Sequence, residues 1–271
     1  MKPRPFDYAR PDTVEEAVAL LAEYGDDARV LAGGQSLIAM LNLRLIDPAV
    51  LVDIAQIAEL DAIRDRGNII EIGAAVTQNK VMARPGFAQK LPLLAAALPF
   101  VGHFQTRNKG TVCGSVAHAD PSSEIPLALA LCGGAVVLRS KRGERVLAAE
   151  AFQKDMLTTA RAPDELVTAV RFPVIEGKGM AFDEVARRHG DFAIIAVAAI
   201  ADARGSAQIG VSGMAGRPLL RSINGDAATA ISAWADELEG FDDLHASAAL
   251  RRDLLRNLGP RVVAEAIRCA A

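Results

Sequence analysis

Two short segments of this 271-residue chain concentrate residue types that bind anions. The first is Ala32-Gly33-Gly34-Gln35-Ser36. Adjacent glycines let a backbone turn tightly and approach a ligand closely. Their amides, with those opening a following helix, can converge on one anion, and Gln35 and Ser36 add side-chain donors. A pyrophosphate fits such a nest. An ordinary strand–helix turn also uses a glycine pair, so this segment alone does not choose between the two. It matches neither GxGxxG nor GxxxxGK(S/T), and the turn has no lysine, which leaves Rossmann and P-loop assignments unsupported.

The second segment runs Thr106-Arg107-Asn108-Lys109-Gly110-Thr111-Val112-Cys113-Gly114-Ser115 and continues Val116-Ala117-His118-Ala119-Asp120-Pro121-Ser122-Ser123-Glu124. Hydroxyls, small residues and two basic side chains crowd a stretch, 102–123, that reads as irregular and too polar for a core element. A connection that long is more often functional or mobile than merely linking. Thr111 and Ser115 can donate to phosphate, Gly110 and Gly114 leave room for a ring or ribose, and Glu124 can accept from ribose hydroxyls. A solvated Ω-loop is an equally good reading of this stretch alone.

Other chemistries find little support. Cys113, Cys132 and Cys269 are widely spaced and form no CxxC, which argues against a disulfide framework, structural zinc or an iron–sulfur cluster held by this chain. His103, His118, His189 and His245 show no HxxxH or HExxH spacing, so no metal and no general acid or base is assigned. A formal charge of −3 speaks against nucleic-acid binding. The longest apolar run, 192–201, is far too short to span a membrane, and no apolar run follows the basic N-terminus. A cytoplasmic location is expected.

The elements that must position these segments follow from periodicity. Hydrophobic residues make up 51% and aromatics 4%, so Ala, Leu, Val and Ile must fill the core of an α/β or α+β protein. The opening reads strand, helix, strand, glycine turn, helix, strand: Asp12 or Thr13 caps a helix ended by Gly25, 29–31 is a strand, 37–43 a helix and 50–54 a strand. A hairpin is expected at 62–72, helices at 78–82, 91–98 and 123–131, a hairpin at 135–149 and a strand at 166–172. The stretch 176–179 reads as a linker. Strands at 181–187, 192–202 and 207–213 then precede helices at 226–238 and 246–258, with Pro260 in the first turn of a last helix.

Taken together, RVLAGGQSLIAMLNLRL and QTRNKGTVCGSVAHADPSSE resemble the two FAD motifs of the medium subunit of carbon monoxide dehydrogenase and its relatives, the molybdenum hydroxylases that include xanthine dehydrogenases. The likeness continues through Pro5-Phe6-Asp7-Tyr8, Pro163-Asp164-Glu165-Leu166, Arg187-Arg188-His189-Gly190-Asp191-Phe192-Ala193 and Ile209-Gly210-Val211-Ser212-Gly213-Met214-Ala215. It implies an α+β chain. Residues 1–175 would form a two-subdomain FAD-binding domain of the PCMH or vanillyl-alcohol-oxidase type, divided near 57, and 176–271 a small α+β C-terminal domain.

The resemblance also implies roles. Val30, Leu31, Ala32, Gly33, Gly34, Gln35, Ser36 and Leu37 would surround the FAD diphosphate. Thr111, Val112, Cys113, Gly114 and Ser115 would line its other side, with Glu124 at the ribose or adenine and Val101 packing on the cofactor. Thr106, Gly110, His118, Ala119, Asp120, Ser123, Arg161 and Phe192 complete the candidate cofactor contacts. A small [2Fe-2S] subunit and a large molybdopterin subunit would be partners, in a heterotrimer or its dimer. Electrons would pass from the clusters through FAD to NAD⁺, oxygen or another acceptor. Bacterial relatives act on carbon monoxide, purines, N-heterocyclic aromatics and aldehydes; of these an N-heterocyclic aromatic is the substrate expected, although the pocket that selects it would lie on another subunit. A self-contained flavin oxidase or reductase, and a non-catalytic nucleotide-binding module, are the alternatives. Three departures stand out: Cys113 replaces a glycine of the usual TxGG run, read as a structural rather than redox thiol; Phe192 stands where many relatives have Tyr; and Asp183 falls near a position where some have Lys.

Overall fold

The computed structural model describes residues 2–270. Its first unit is a parallel sheet built by two crossovers: β1 (Asp7–Ala9), α1 (Val14–Tyr24), β2 (Ala28–Leu31), α2 (Leu37–Asn42) and β3 (Val50–Asp53). The strand order is β1-β3-β2, so β3 is central and buried. Thr13 caps α1 by accepting the Glu16 N–H, while the Glu16 carboxylate accepts from the Asp12 N–H. These two bonds satisfy donors that a helix start otherwise leaves orphaned. Val14, Ala17, Val18 and Leu21 recur at helical spacing and face the core, and Gly25 ends the helix at φ 52°.

The second unit is an antiparallel sheet of five strands, β4 (Ile63–Asp65), β5 (Ile69–Gly73), β6 (Ala135–Ser140), β7 (Gly143–Ala148) and β10 (Leu166–Pro173), with β8 (Gln153–Asp155) and β9 (Thr158–Thr159) as a separate ribbon. The order β4-β5-β10-β6-β7 puts the last strand at the centre. Glu71, 4% exposed, anchors the sheet through Arg66 at 2.9 Å and Arg171 at 2.7 Å. Between β5 and β6 lie α3 (Gln78–Met82), α4 (Phe87–Lys90), α5 (Pro92–Ala97), α6 (Phe104–Arg107), α7 (Val112–His118) and α8 (Glu124–Leu131), and α9 (Ala149–Phe152) follows β7.

The expected irregularity of 102–123 is corrected here. It holds α6 and α7, and Val112, Cys113 and Val116 are at most 3% exposed within the main core. Thr111 caps α7 by accepting the Gly114 N–H at 2.9 Å. The apolar residues are few and scattered among Gly, Ser and His, so the helix owes its place to burial rather than to a visible apolar stripe.

The third unit is an antiparallel sheet, β11 (Gly179–Val185), β12 (Ile195–Ala201), β13 (Ala207–Ser212) and β14 (Leu219–Ile223), with α10 (Ala227–Glu237) and α11 (Ala248–Ala270). The two faces of this sheet serve different cores. Ile195, Val197 and Ala199 meet α10 and α11, while Ala196, Ala198 and Ile200 pack with Leu127, Ala128 and Leu131 of α8. Two expectations change. Residues 246–270 form no broken pair of helices, because Pro260 lies inside α11. The strand expected from residue 192 starts at Ile195, leaving Phe192 on a loop, 56% exposed.

Candidate functional site

The two glycine segments meet. Gly33 lies so close to the second segment that a Cβ there would overlap the Lys109 carbonyl oxygen and stand 2.7 Å from the Gly110 Cα. Only a residue without a side chain permits that backbone-to-backbone approach. Gly34 takes φ 70°, which turns the chain from β2 toward α2. Gln35 folds back to donate to the Gly33 carbonyl at 3.2 Å, and Ser36 makes no capping hydrogen bond at the start of α2. Val30 and Leu31 are the end of β2, and Ala32 packs against the core.

The second segment is tied down from behind. The Gln78 N–H donates to the Gly110 carbonyl at 2.9 Å, Thr77 bridges to Thr111, and Asn79 donates to Asn108 at 2.6 Å. Gln78 is 4% exposed, yet its Oε1 has no hydrogen-bond partner among the described residues. A buried acceptor left unpaired is costly, so such an atom marks strain or a ligand position. Thr77, Gln78 and Asn79 were missed by sequence reasoning; Thr77 shows as a helix cap, but nothing local links it to residue 110.

Other candidates divide by placement. The Cys113 thiol faces the core and donates to the Ile72 carbonyl at 3.3 Å, and burial pushes its pKa far above the usual thiol range. Val112 is likewise buried, so only the backbone of these two can face a ligand. Val101 is held by Arg107, which donates to the Val101 and Gly102 carbonyls at 2.9 Å, and a Cβ on Gly102 would meet the Thr106 side chain at 3.0 Å. Ser115 lies within α7, and half-buried His118 ends it, its pKa lowered by burial. Ala119 follows at φ 56°, Asp120 accepts the Ser122 N–H at 2.8 Å, and Ser123 and Glu124 are buried at the start of α8. Burial, with the charge of Asp120, raises the Glu124 pKa to about 7.

Arg161 lies near β2, close enough to Arg29 for the two charges to act on each other. Its guanidinium is spent on the Ala162, Pro163 and Glu165 carbonyls, beside Arg29. Phe192 comes from the third unit, on the loop that carries Gly190; a Cβ on Gly190 would lie 3.0 Å from the Gly102 carbonyl oxygen. That loop therefore abuts the one bearing Val101. Asp183 lies 3.9 Å from Arg261 on α11.

Residues 4–175 match the family model described as the FAD binding domain in molybdopterin dehydrogenase. The chain belongs to this FAD-binding family. It is 43% identical over 195 residues to the caffeine dehydrogenase subunit beta of Pseudomonas sp. strain CBB1, covering 71% of this chain and 66% of that one. It is 37% identical over 285 residues to the 6-hydroxypseudooxynicotine dehydrogenase complex subunit alpha of Paenarthrobacter nicotinovorans, covering 98% and 96%. In structure it resembles a chain of quinoline 2-oxidoreductase from Pseudomonas putida 86, with TM-score 0.93, 33% identity and coverage of 100% and 99%. The flavoprotein is thus an oxidoreductase component with an α+β FAD-binding fold. The residues present fit the dinucleotide: a side-chain-free cradle at Gly33, a positive-φ turn at Gly34 and an unpaired buried acceptor at Gln78 are what a closely held polar ligand requires. Among the described residues no helix is long and apolar enough to cross a membrane.

Proposed function

We propose that this flavoprotein is the electron-transfer subunit of a heteromeric molybdenum hydroxylase of the cytoplasm. It takes electrons from [2Fe-2S] clusters of a small partner subunit and delivers them to NAD⁺, oxygen or another acceptor. A large molybdopterin subunit hydroxylates the substrate, an N-heterocyclic aromatic. Relatives that include dehydrogenase subunits for caffeine and 6-hydroxypseudooxynicotine, and a structural neighbour named for quinoline, support that substrate class. The observation that carries the reading is the abutment of Gly33 on Lys109 and Gly110, which makes one cradle of two distant segments. Residues 1–175 act as the cofactor domain, and 176–271 as the C-terminal domain that closes on it.

Bound FAD supplies a centre that accepts electrons and passes them on. The chain's own residues bind and orient it. Gly33 and Gly34 bring backbone amides to the diphosphate, with Gln35, Ser36 and Thr111 as side-chain donors. The Gln78 Oε1 accepts from the ligand in place of a protein donor, and Glu124 accepts from ribose hydroxyls. Val101 and Phe192 shield the ring system from water on the side where the two loops meet.

Copurification with cluster and molybdenum subunits, and stopped-flow flavin absorbance on adding substrate, test this. Flavin reduction by substrate should require both partners. Turnover by the isolated chain would instead indicate a self-contained flavin enzyme, and ADP binding without FAD binding a nucleotide module.

A further inference from the structure

Outside the glycine cradle, buried polar groups without partners gather at the seam between α8 and the sheet that α8 covers. Glu184, Ala196 and Ser212 are neighbours across three strands: Glu184 pairs with Ala196, and Ala196 with Ser212. Strand alternation sets all three on the face that carries Phe182 and Ala198. The adjacent row is Phe182, Ala198 and Gly210, and there a Cβ on Gly210 would lie 2.8 Å from the Leu127 side chain of α8.

Glu124 lies nearly one turn before Leu127, about 4.5 Å along the helix. Ser212 lies two residues beyond Gly210, about 6.7 Å along the strand. The two directions agree, because the Gly213 N–H donates to the Pro121 carbonyl at 2.9 Å just ahead of α8. The row Glu184–Ala196–Ser212 therefore underlies Glu124, with only a methyl group at its centre.

Ser212 is fully buried, and its Oγ has no partner among the described residues. The Glu184 Oε2 is buried and likewise unpartnered, and Glu124 is 3% exposed. The charged groups acting on this pair are all acidic: Asp120 on Glu124, and Asp183, one residue along β11, on Glu184. Arg261, the nearest cation to Asp183, approaches from α11 on the opposite face. Burial, with repulsion from Glu124 and Asp183, raises the Glu184 pKa to about 8. A buried carboxylate beside a half-buried one, with no cation between them among the described residues, favours sharing one proton.

We propose that Glu124 and Glu184 form a dyad that holds one proton across this seam, faced by the neutral Ser212 hydroxyl, and that this proton sets the affinity of the adjoining FAD site. While the proton is held, the seam carries one negative charge. Its loss leaves two, which repel the first turn of α8 from the sheet and loosen the 120–124 stretch that borders the cofactor. The affinity half of the proposal rests on the FAD reading of Glu124; the proton half does not.

Two measurements on the full chain test it. Infrared spectra of the apoprotein should show a protonated carboxyl band that persists at about neutral pH, titrates well above the ordinary carboxylate range, and titrates at lower pH in Glu184→Gln, where Glu124 alone remains to hold the proton. FAD affinity, read by flavin fluorescence, should weaken by up to about tenfold per pH unit above that titration in the wild-type chain. In Glu184→Gln that fall should shift to lower pH, where Glu124 alone titrates. Absence of the band from the wild-type protein near neutral pH, or an unchanged pH profile of FAD binding in Glu184→Gln, would overturn the proposal. A band that titrates as expected in a chain with no FAD affinity at any pH would support the proton and overturn the FAD reading.

Discussion

Gly33 and Gly110 touch through their backbones: a Cβ on Gly33 would stand 2.7 Å from the Gly110 Cα and overlap the neighbouring Lys109 carbonyl. The atoms in the way are main chain, held by the bond from the Gln78 N–H to the Gly110 carbonyl at 2.9 Å. Gly33→Ala must therefore displace one segment from the other. At roughly 1–3 kcal/mol for such overpacking, FAD affinity should fall about ten- to a hundredfold. Gly110→Ala meets its nearest neighbour, the Thr106 carbonyl, at 3.1 Å, and should lose less. Flavin-to-protein absorbance ratios check the order, and equal losses would refute it.

Gln78 offers a second test of the same cradle. Its buried Oε1 has no partner among the described residues, so Gln78→Met removes a polar atom that they do not use. Replacing an unsatisfied buried group with an apolar one of similar shape is close to neutral for folding. The apoprotein should melt within a degree or two of wild type, while FAD binding weakens by roughly tenfold, the worth of one hydrogen bond. Unchanged FAD affinity would remove Gln78 from the site.

How much of this was legible in the sequence depended on how local the cause was. Thr77 marks the start of α3, and the Thr13–Glu16 pair marks that of α1, because caps act over three or four residues. The joining of Gly33 to Gly110 was not readable from spacing, since it depends on where two subdomains dock. α7 was hidden because its three buried residues sit among small polar ones. Pro260 misled for a physical reason: it removes one N–H from α11, yet burial of Leu258, Val262 and Val263 on either side holds the helix together.

The thiols should separate by accessibility. Cys269 is exposed, Cys132 is half-buried with burial pushing its pKa up to about 12, and Cys113 lies in the core with its pKa raised further. The thiolate is the reactive form. A disulfide reagent at about pH 8 should thus modify one thiol quickly in the folded protein, and Cys269→Ser should abolish that phase. Rapid modification of Cys113 would contradict its structural role.

Arg251 is 1% exposed and gathers three chain segments. It donates to the Ile194 carbonyl, to the Gly213 carbonyl at 2.9 Å and to the Asp243 carboxylate at 2.6 Å, and lies 4.3 Å over the Phe241 ring. Arg251→Met leaves two carbonyls unpaired at roughly 1–3 kcal/mol each. Buried Trp234, the one tryptophan, packs in the same core, so its fluorescence should report an earlier unfolding midpoint in denaturant. A midpoint equal to wild type would show that these bonds are dispensable.

Glu184 makes the pH dependence of stability a prediction with a definite sign. Its folded pKa, about 8, lies above the ordinary glutamate value that the unfolded chain shows. Between those two values the folded state binds the extra proton, so stability falls as pH rises through that window. The penalty is absent below the unfolded pKa and fully present above the folded one. Glu71 and Glu165 act oppositely: arginine partners hold their pKa values below the usual range, so their contribution is lost in acid, below that window. Glu184→Gln should therefore match wild type in urea unfolding near about pH 5. It should exceed wild type near about pH 8.5 by on the order of 2 kcal/mol, since water still reaches part of the side chain. A variant less stable than wild type at the higher pH would mean that the Glu184 carboxylate is stabilised there by a partner, and that the seam carries its second charge without cost.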